Sequence, residues 1–514
     1  MKKIIVVGGG TAGWLTALYI KKVYPDFKLT VVESKEIGIL GAGEGSTPQM
    51  IAMLDFLEIQ VSDIVSNCEA TIKNGIKFTN WNNDNKYYYH PFKIADYLSL
   101  GNMSLDEKAL CTNSLALTSL YINKSLNSFD FIEQISEENR VPFILNGQRK
   151  QNPIFDFDLT AYFSIHLNAS KIAVRLKEIG IKRGIDVVNG VVSDIILDKN
   201  EYIEKIIIDD KNSIDCDFVF DCTGFHRLII GKLYNSEWHS YSKYLPVDSA
   251  LPFFIEMDKE IPPYTEAIAM KYGWMWKIPL QSRYGCGYVF DSSLISEKEV
   301  IKEIEEHLGF EPHYPRKNKG SFKFNAGYYK EPWINNCIAV GLSGGFIEPL
   351  EATSIWSSIV FLSKVLSGIE WVYNNNQTIR DDFNETFIYM NEKIVDFIYF
   401  HYMTKRKDTD FWKKFTYENA PESLKKKLNL WKYRMPNNYD SDSVWGFMSW
   451  MQVGAGTQIL NQDVVDLYNK KSSAQIYGFE KYEESNFIDN INLTLTNCMK
   501  HSELLKYLKD NNEF

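Results

Sequence analysis

Residues 3–20, Lys3-Ile4-Ile5-Val6-Val7-Gly8-Gly9-Gly10-Thr11-Ala12-Gly13-Trp14-Leu15-Thr16-Ala17-Leu18-Tyr19-Ile20, decide how the chain begins to fold. The β-branched run up to Val7 reads as a buried strand. Gly8-x-Gly10-x-x-Gly13 then frees the backbone for a tight turn, and from Trp14 the apolar residues fall at helical spacing. Lys28-Leu29-Thr30-Val31-Val32 is a second strand. It ends in Glu33, about 20 residues beyond the last glycine, where a ribose-binding acid belongs. The result is a βαβ unit whose helix N-terminus offers unpaired N–H groups and a positive dipole end, the setting that binds a dinucleotide pyrophosphate.

Working outward, the 514 residues carry 66 acidic and 56 basic side chains, a formal charge of −10. Apolar residues at 45% and charged residues at 24% describe a globular protein and exclude disordered, collagen-like and coiled-coil classes. At about 150 residues per domain the length suggests three domains, or two interleaved ones. No long Lys/Arg run provides a footprint for nucleic acid or anionic lipid. No stretch nears the ~20 apolar residues that span a bilayer, and Ile4–Val7 is too short for a signal-peptide core. The seven cysteines are odd in number, scattered, and never paired as C-x-x-C, so neither a disulfide framework nor a metal site is expected, and the reading is a reduced, cytoplasmic protein. Aromatics at 14% fit either an aromatic-lined cavity or an aromatic-rich core.

Further along, residues 82–160 are rich in Asn, Tyr, Asp and Phe with weak periodicity, and read as an inserted, loop-rich region. A helix is expected over 170–179, and 187–197 with 203–208 alternate like a hairpin. Phe218-Val219-Phe220 runs into Asp221-Cys222-Thr223-Gly224, the second contact that flavoproteins add; the first glycine motif does not separate NAD from FAD, but this element favours FAD. In Gly43-Glu44-Gly45-Ser46-Thr47-Pro48 two glycines allow close approach to a planar ligand, and Pro48 can open a helix. Ile355, Ile359, Leu362 and Leu366 mark an amphipathic helix. The stretch before it, from Gly341 through Phe346 to Ser354, brings backbone amides to a positive dipole end where a small anion can bind. Beyond it the chain reads as helical and charged, with an aromatic-rich break at 439–456.

Taken together, these motifs resemble the flavin-dependent halogenases of the tryptophan-halogenase type. The resemblance runs to about residue 412. It is carried by Gly8–Trp14, Gly43-Glu44-Gly45, Lys73-Asn74-Gly75-Ile76-Lys77-Phe78-Thr79-Asn80-Trp81, Trp274-Met275-Trp276-Lys277-Ile278-Pro279, 346–353, and His401-Tyr402 through Asp408-Thr409-Asp410-Phe411-Trp412. It implies an α/β fold: a glutathione-reductase-like (Rossmann-type), monooxygenase-like FAD domain over 1–360, containing the 82–160 insertion, and a mainly helical substrate-covering part over 361–514. In such enzymes reduced FAD and oxygen convert a halide to hypohalous acid, which travels to an electron-rich aromatic, indole-type or phenolic, and substitutes it. A separate flavin reductase supplies FADH2, and a homo-oligomer is left open.

The resemblance also assigns roles. Lys73 matches the catalytic lysine that engages the oxidant, and Glu351 the glutamate that stabilises the cationic ring or accepts its proton. The FAD contacts fall on Gly8, Gly10, Thr11, Ala12, Gly13, Glu33, Gly43, Glu44, Gly45, Asp221, Gly224, Gly341, Phe346 and Ile355. Trp274 and Trp276 lie near the flavin, and Thr353 and Ser354 hold chloride, bromide or iodide through their amides. Ser354 replaces a common glycine and Ala352 a common serine. His90-Pro91-Phe92 matches a His-x-Phe whose rings sandwich the substrate. The compact 445–456 segment departs from the family's amino-acid-gripping stretch and implies a more open pocket, with Trp445, Phe447 and Trp450 as stacking residues or core. Two other readings stand beside this one: an FAD aromatic hydroxylase, and a non-catalytic flavin-binding redox sensor.

Overall fold

The computed structural model describes residues 1–34, 43–92, 131–146, 149–151, 163–315, 320–464, 466 and 498–511. The opening strand Lys3–Val7 is central in a six-stranded sheet, flanked by Lys28–Glu33 and Phe218–Asp221. Its apolar run is buried on both faces, as a strand inside a parallel sheet requires. Cys337–Ala339 and Asp186–Asn189 extend the parallel array, and Trp333–Ile334 closes one edge antiparallel. The expected 187–197 arm therefore splits. Gly190 ends the strand, and only Val192–Leu197 forms the hairpin with Ile203–Ile208.

Pairing Val7 with both Val32 and Asp221 brings the glycine turn, Glu33 and Cys222–Gly224 to one end of this sheet. That is the crevice at the carboxyl ends of parallel strands where dinucleotides bind. A second, seven-stranded sheet includes Ser249–Glu256, Arg283–Phe290, Gly273–Pro279, Tyr264–Met270, Gly75–Thr79 and Tyr87–Pro91 in that order. Tyr87–Pro91 falls in the stretch read as loop-rich, yet alternation with Gly75–Thr79 makes it an edge strand. Residues 93–130, 147–148 and 152–160 of that stretch lie outside the described residues.

A small third sheet sets Ser164–Leu167 between Glu44–Gly45 and Thr71–Lys73. It joins two motifs that sequence leaves 26 residues or more apart. The predicted amphipathic helix is Thr353–Leu366, with its apolar face buried. Behind it runs the 26-residue helix Gln377–Tyr402, whose last nine residues are all buried. The final helix, His501–Asn511, returns to the N-terminal half, where His501 Nε2 accepts the Ile72 N–H at 2.8 Å and so pins the strand that carries Lys73. Among the described residues no helix is long and apolar enough to cross a membrane.

Candidate active site

A cavity of about 1040 Å³ runs from the glycine turn to Lys73. That is at the upper end of the ~300–1,000 Å³ of ligand sites. At its first end Gly8 has φ +123°, and a Cβ there would lie 2.2 Å from the Cys222 carbonyl oxygen. A Cβ on Gly13 would lie 1.9 Å from the Gly8 carbonyl, so both glycines are needed to press helix against strand. A Cβ on Gly10 would instead enter open space, beside Thr11 and Ala12 at the head of helix Thr11–Val23. Glu33 lines the same end, its carboxylate paired with Lys177 of helix Ala169–Lys182. Sequence reading missed Lys177; a lysine on a charged helix face gives no local signal. Gly43, Glu44, Gly45, Gly224, Gly341, Phe346 and Ile355 also reach the cavity. An elongated cradle with bare backbone at a helix N-terminus, and an acid beyond it, fits FAD.

Asp221 does not reach it. Its wholly buried carboxylate accepts the Thr223 N–H and hydroxyl, and the Ile229 and Ile230 N–H groups, at 2.7–3.1 Å. The cofactor contact expected of Asp221 is thus corrected: it folds the turn, and Cys222, Thr223 and Gly224 face the cavity. The aspartate is used up by four donors, which a buried carboxylate must find.

At the far end Lys73 is wholly buried, and its Nζ donates to the Ser46 carbonyl at 3.1 Å. Its ammonium lies 5.1 Å from the centre of the Phe92 ring. Burial pushes the Lys73 amine down to about 7, against the opposing pull of the Glu351 charge. Glu44 lies in the same wall, where burial pushes its carboxyl up to about 7. Trp274 and Trp276 form another wall, from strand Gly273–Pro279. Trp274 is fixed by its Nε1, which donates to Glu348 Oε2 at 2.7 Å; Tyr402 donates to the same oxygen at 2.6 Å. Glu348 was also unforeseen, since nothing local distinguishes it from Glu351 three residues on.

Glu351 is 5% exposed, just before the left-handed Ala352 (φ 56°) that caps helix Thr353–Leu366. Burial would raise its carboxyl, but His90 and His401 outweigh that and hold it at about 2. His90 Nδ1 donates to both Glu351 oxygens at 2.9 and 3.0 Å, and the His90 ring is outside the cavity wall. His90, expected to sandwich the substrate with Phe92, holds Glu351 through this nitrogen, and its ring centre lies 6.3 Å from that of Trp445. At the same helix start, Thr353 and Ser354 join Gly345 and Phe346 around a pocket of about 20 Å³. That volume holds one water-sized particle.

The three stacking candidates separate. Trp445 is half-buried and stacks on Phe397 with ring centres 4.1 Å apart. Trp450 is wholly buried against Phe397, Phe400 and Trp431, and Phe447 packs in a small cluster with Met435 and Met451. Phe447 and Trp450 are core: helix Phe447–Gly456 buries both side chains.

These features define an α/β protein with a six-stranded and a seven-stranded main sheet, built round a dinucleotide-sized cavity with a buried lysine in its wall. A family model described as tryptophan halogenase matches residues 3–473. The tryptophan 6-halogenase SttH of Streptomyces toxytricini is 30% identical over 467 residues, 87% of this chain and 86% of its own. The tryptophan 7-halogenase RebH of Lentzea aerocolonigenes is 29% identical over 464 residues, 85% and 83% of the two chains. Among solved structures, a tryptophan halogenase from Shewanella frigidimarina superposes with a TM-score of 0.86 at 26% identity, covering 99% of this chain and 98% of the other. BrvH, a flavin-dependent halogenase from Brevundimonas, gives 0.83 at 26% identity, covering 99% of both. The chain belongs to the tryptophan halogenase family and is a flavin-dependent halogenase.

Proposed function

We propose that this enzyme takes FADH2 from a separate reductase and uses oxygen and a halide to substitute an electron-rich aromatic, indole-type or phenolic, in the cytoplasm. The observation that carries this reading is Lys73, a wholly buried amine in the wall of the cofactor cavity, in range of the Glu351 charge. The relatives named above act on tryptophan by their names, which supports an indole-type ring. When bound, reduced FAD supplies, with oxygen and halide, the hypohalous acid.

The chain's own residues do the rest. Gly8, Gly10, Thr11 and Ala12 would receive the pyrophosphate at the helix N-terminus, and Glu33 the ribose. The pocket at Thr353 and Ser354 suits a monatomic anion, because backbone N–H groups at a helix start favour negative charge. Trp274 and Trp276 line the cavity and lie near the flavin. Lys73 donates a hydrogen bond to the oxygen of hypohalous acid, which makes the halogen more electrophilic. Glu351 accepts the ring proton. His90, Phe92 and Trp445 are the aromatic faces offered to the substrate. The part of the chain over 361–514, with the inserted 82–160 region, covers that substrate.

The test supplies FADH2 through a reductase, with oxygen and chloride, bromide or iodide in turn, and follows a panel of indoles and phenols by mass spectrometry. Halogenated product that requires halide is expected. Lys73→Ala should bind FAD and yield none; undiminished regioselective product from it would refute the assignment. A hydroxylated product formed equally without halide would replace the reading with that of a hydroxylase.

A further inference from the structure

Thr265, on strand Tyr264–Met270, lines the cavity together with Lys73. A Cβ placed on Gly45 would lie 3.0 Å from Lys73 Nζ and 3.3 Å from Thr265 Oγ1, so the amine and the hydroxyl border one small space, which the glycine keeps clear. Behind Thr265 a buried chain of hydrogen bonds fixes which way its hydroxyl points. Thr71 Oγ1 donates to the Pro279 carbonyl oxygen at 2.7 Å. A hydroxyl has one hydrogen, and Thr71 has thus given its own. The 2.9 Å contact between Thr71 Oγ1 and His166 Nδ1 therefore takes its hydrogen from the ring. His166 is wholly buried, and burial, then the charge of Lys73, push its imidazole well below its usual value, which leaves the ring neutral with one N–H. With that hydrogen on Nδ1, Nε2 carries a lone pair, and Thr265 Oγ1, 3.0 Å away, has to donate to it. Thr265 gives its only hydrogen to His166 and turns lone pairs alone to the cavity. Beside it Lys73 presents hydrogens: an ammonium has three, and the Ser46 carbonyl takes one.

We propose that Thr265 is a second oxidant-binding residue: its oxygen accepts the hydrogen of hypohalous acid while Lys73 donates to the oxygen of the same molecule, and the two contacts fix the direction of the O–X bond. This rests on the role of Lys73 proposed above. The pair selects by chemistry. A halide ion and the hypohalite anion have no hydrogen to give and leave Thr265 without a partner, whereas hypohalous acid has one hydrogen to donate and lone pairs with which to accept. Two hydrogen bonds on one small molecule also hold it longer than one, which keeps the oxidant beside the aromatic ring rather than free to diffuse.

Thr265 itself forms and breaks no covalent bond. The O–X bond of hypohalous acid breaks as the ring carbon bonds the halogen, and Lys73 gives a proton to the departing oxygen, which leaves as water with its first hydrogen still directed to Thr265. The ring C–H bond then breaks, its electron pair returns to the ring, and the proton goes to the Glu351 carboxylate. Passing that proton back to Lys73 restores both groups.

The experiment follows FADH2 consumption, halogenated product and halogen captured by an added β-diketone trap, for the FAD-loaded wild type, Thr265→Val and Thr265→Ser, with Lys73→Ala in parallel. Valine keeps the branched shape of threonine and removes the hydroxyl. Thr265→Val should lower product per FADH2 about five-fold, the worth of one hydrogen bond, with the lost halogen found on the trap and KM for the aromatic substrate nearly unchanged. Thr265→Ser should restore wild-type coupling. Undiminished product per FADH2 from Thr265→Val overturns the proposal, and so does a loss that the trap does not recover or that serine does not restore. Should Thr265→Val fail to fold, nitrogen NMR of histidine-labelled wild type decides, with His166→Gln to identify the signal: a His166 whose one hydrogen sits on Nδ1 supports the proposal, and a hydrogen on Nε2 overturns it. If Lys73→Ala still halogenates, the reading of Lys73 fails; if that variant is inactive and Thr265→Val is fully coupled, only the role of Thr265 fails.

Discussion

Replacing Lys73 by Met should abolish halogenation and yet stabilise the protein, by an amount that depends on pH in a defined direction. The amine belongs at 10.5 when solvated and sits at about 7 in the fold. Between those values the unfolded chain binds the proton that the folded chain has lost, so wild-type stability rises with pH across that window. Below about 7 both states are charged, and the fold carries the full cost of burying the ammonium. That cost is about 5 kcal/mol, from about 1.4 kcal/mol for each pH unit between the two values. Methionine has a similar length and no charge. It forgoes the hydrogen bond to Ser46, a loss of about 1 kcal/mol. The variant should therefore be more stable than wild type by a few kcal/mol at mildly acid pH, and the gap should close as pH rises toward 10.5. Urea denaturation of both FAD-free chains at about pH 6.5 and about pH 9 measures it, and the difference between the chains cancels every other titrating group. A variant less stable than wild type at the lower pH, or a gap that does not move with pH, would refute the reasoning.

Gly8→Ala should purify without bound flavin, because a Cβ 2.2 Å from the Cys222 carbonyl, at φ +123°, forces the turn open; the visible absorbance of the purified protein reads it out. Trp450→Ala should cost about 3–5 kcal/mol in denaturant melts, with KM for the aromatic substrate unchanged. Trp445→Ala should do the reverse, raising KM with a smaller loss of stability, so equal effects of the two on KM would undo their separation into core and site. Asp221→Ala leaves four donors without their carboxylate and should lower the unfolding midpoint; if it lowered FAD affinity at unchanged stability, the direct cofactor contact would have to be restored.

Much of the frame was legible in the chain. The βαβ start and the helix Thr353–Leu366 follow from period and glycine placement, which are properties of neighbouring residues. The segments carrying Lys73, Glu351 and Trp274 were found through resemblance. What each side chain does was read less well. Asp221 follows a strand as a cofactor ligand would, but its lone pairs are taken by amides up to nine residues on. His90 and Phe92 flank one proline; His90 contacts Glu351, and Phe92, just past the end of the strand, lies against the Lys73 ammonium. Trp445 and Trp450 are five residues apart, but Trp445 precedes helix Phe447–Gly456, and only Trp450, within it, is completely buried.

By itself, then, the sequence determined the α/β class, the dinucleotide turn and the elements that bear the chemistry, because strand and helix periods and φ-permissive glycines act over a few residues. Tertiary structure alone decided that Lys73 is buried and that the Glu351 carboxyl is held below its usual range. The first depends on Thr71–Lys73 pairing with Ser164–Leu167, and the second on a histidine 261 positions away in the chain, and the charge state of a buried group is set by whatever the fold brings against it.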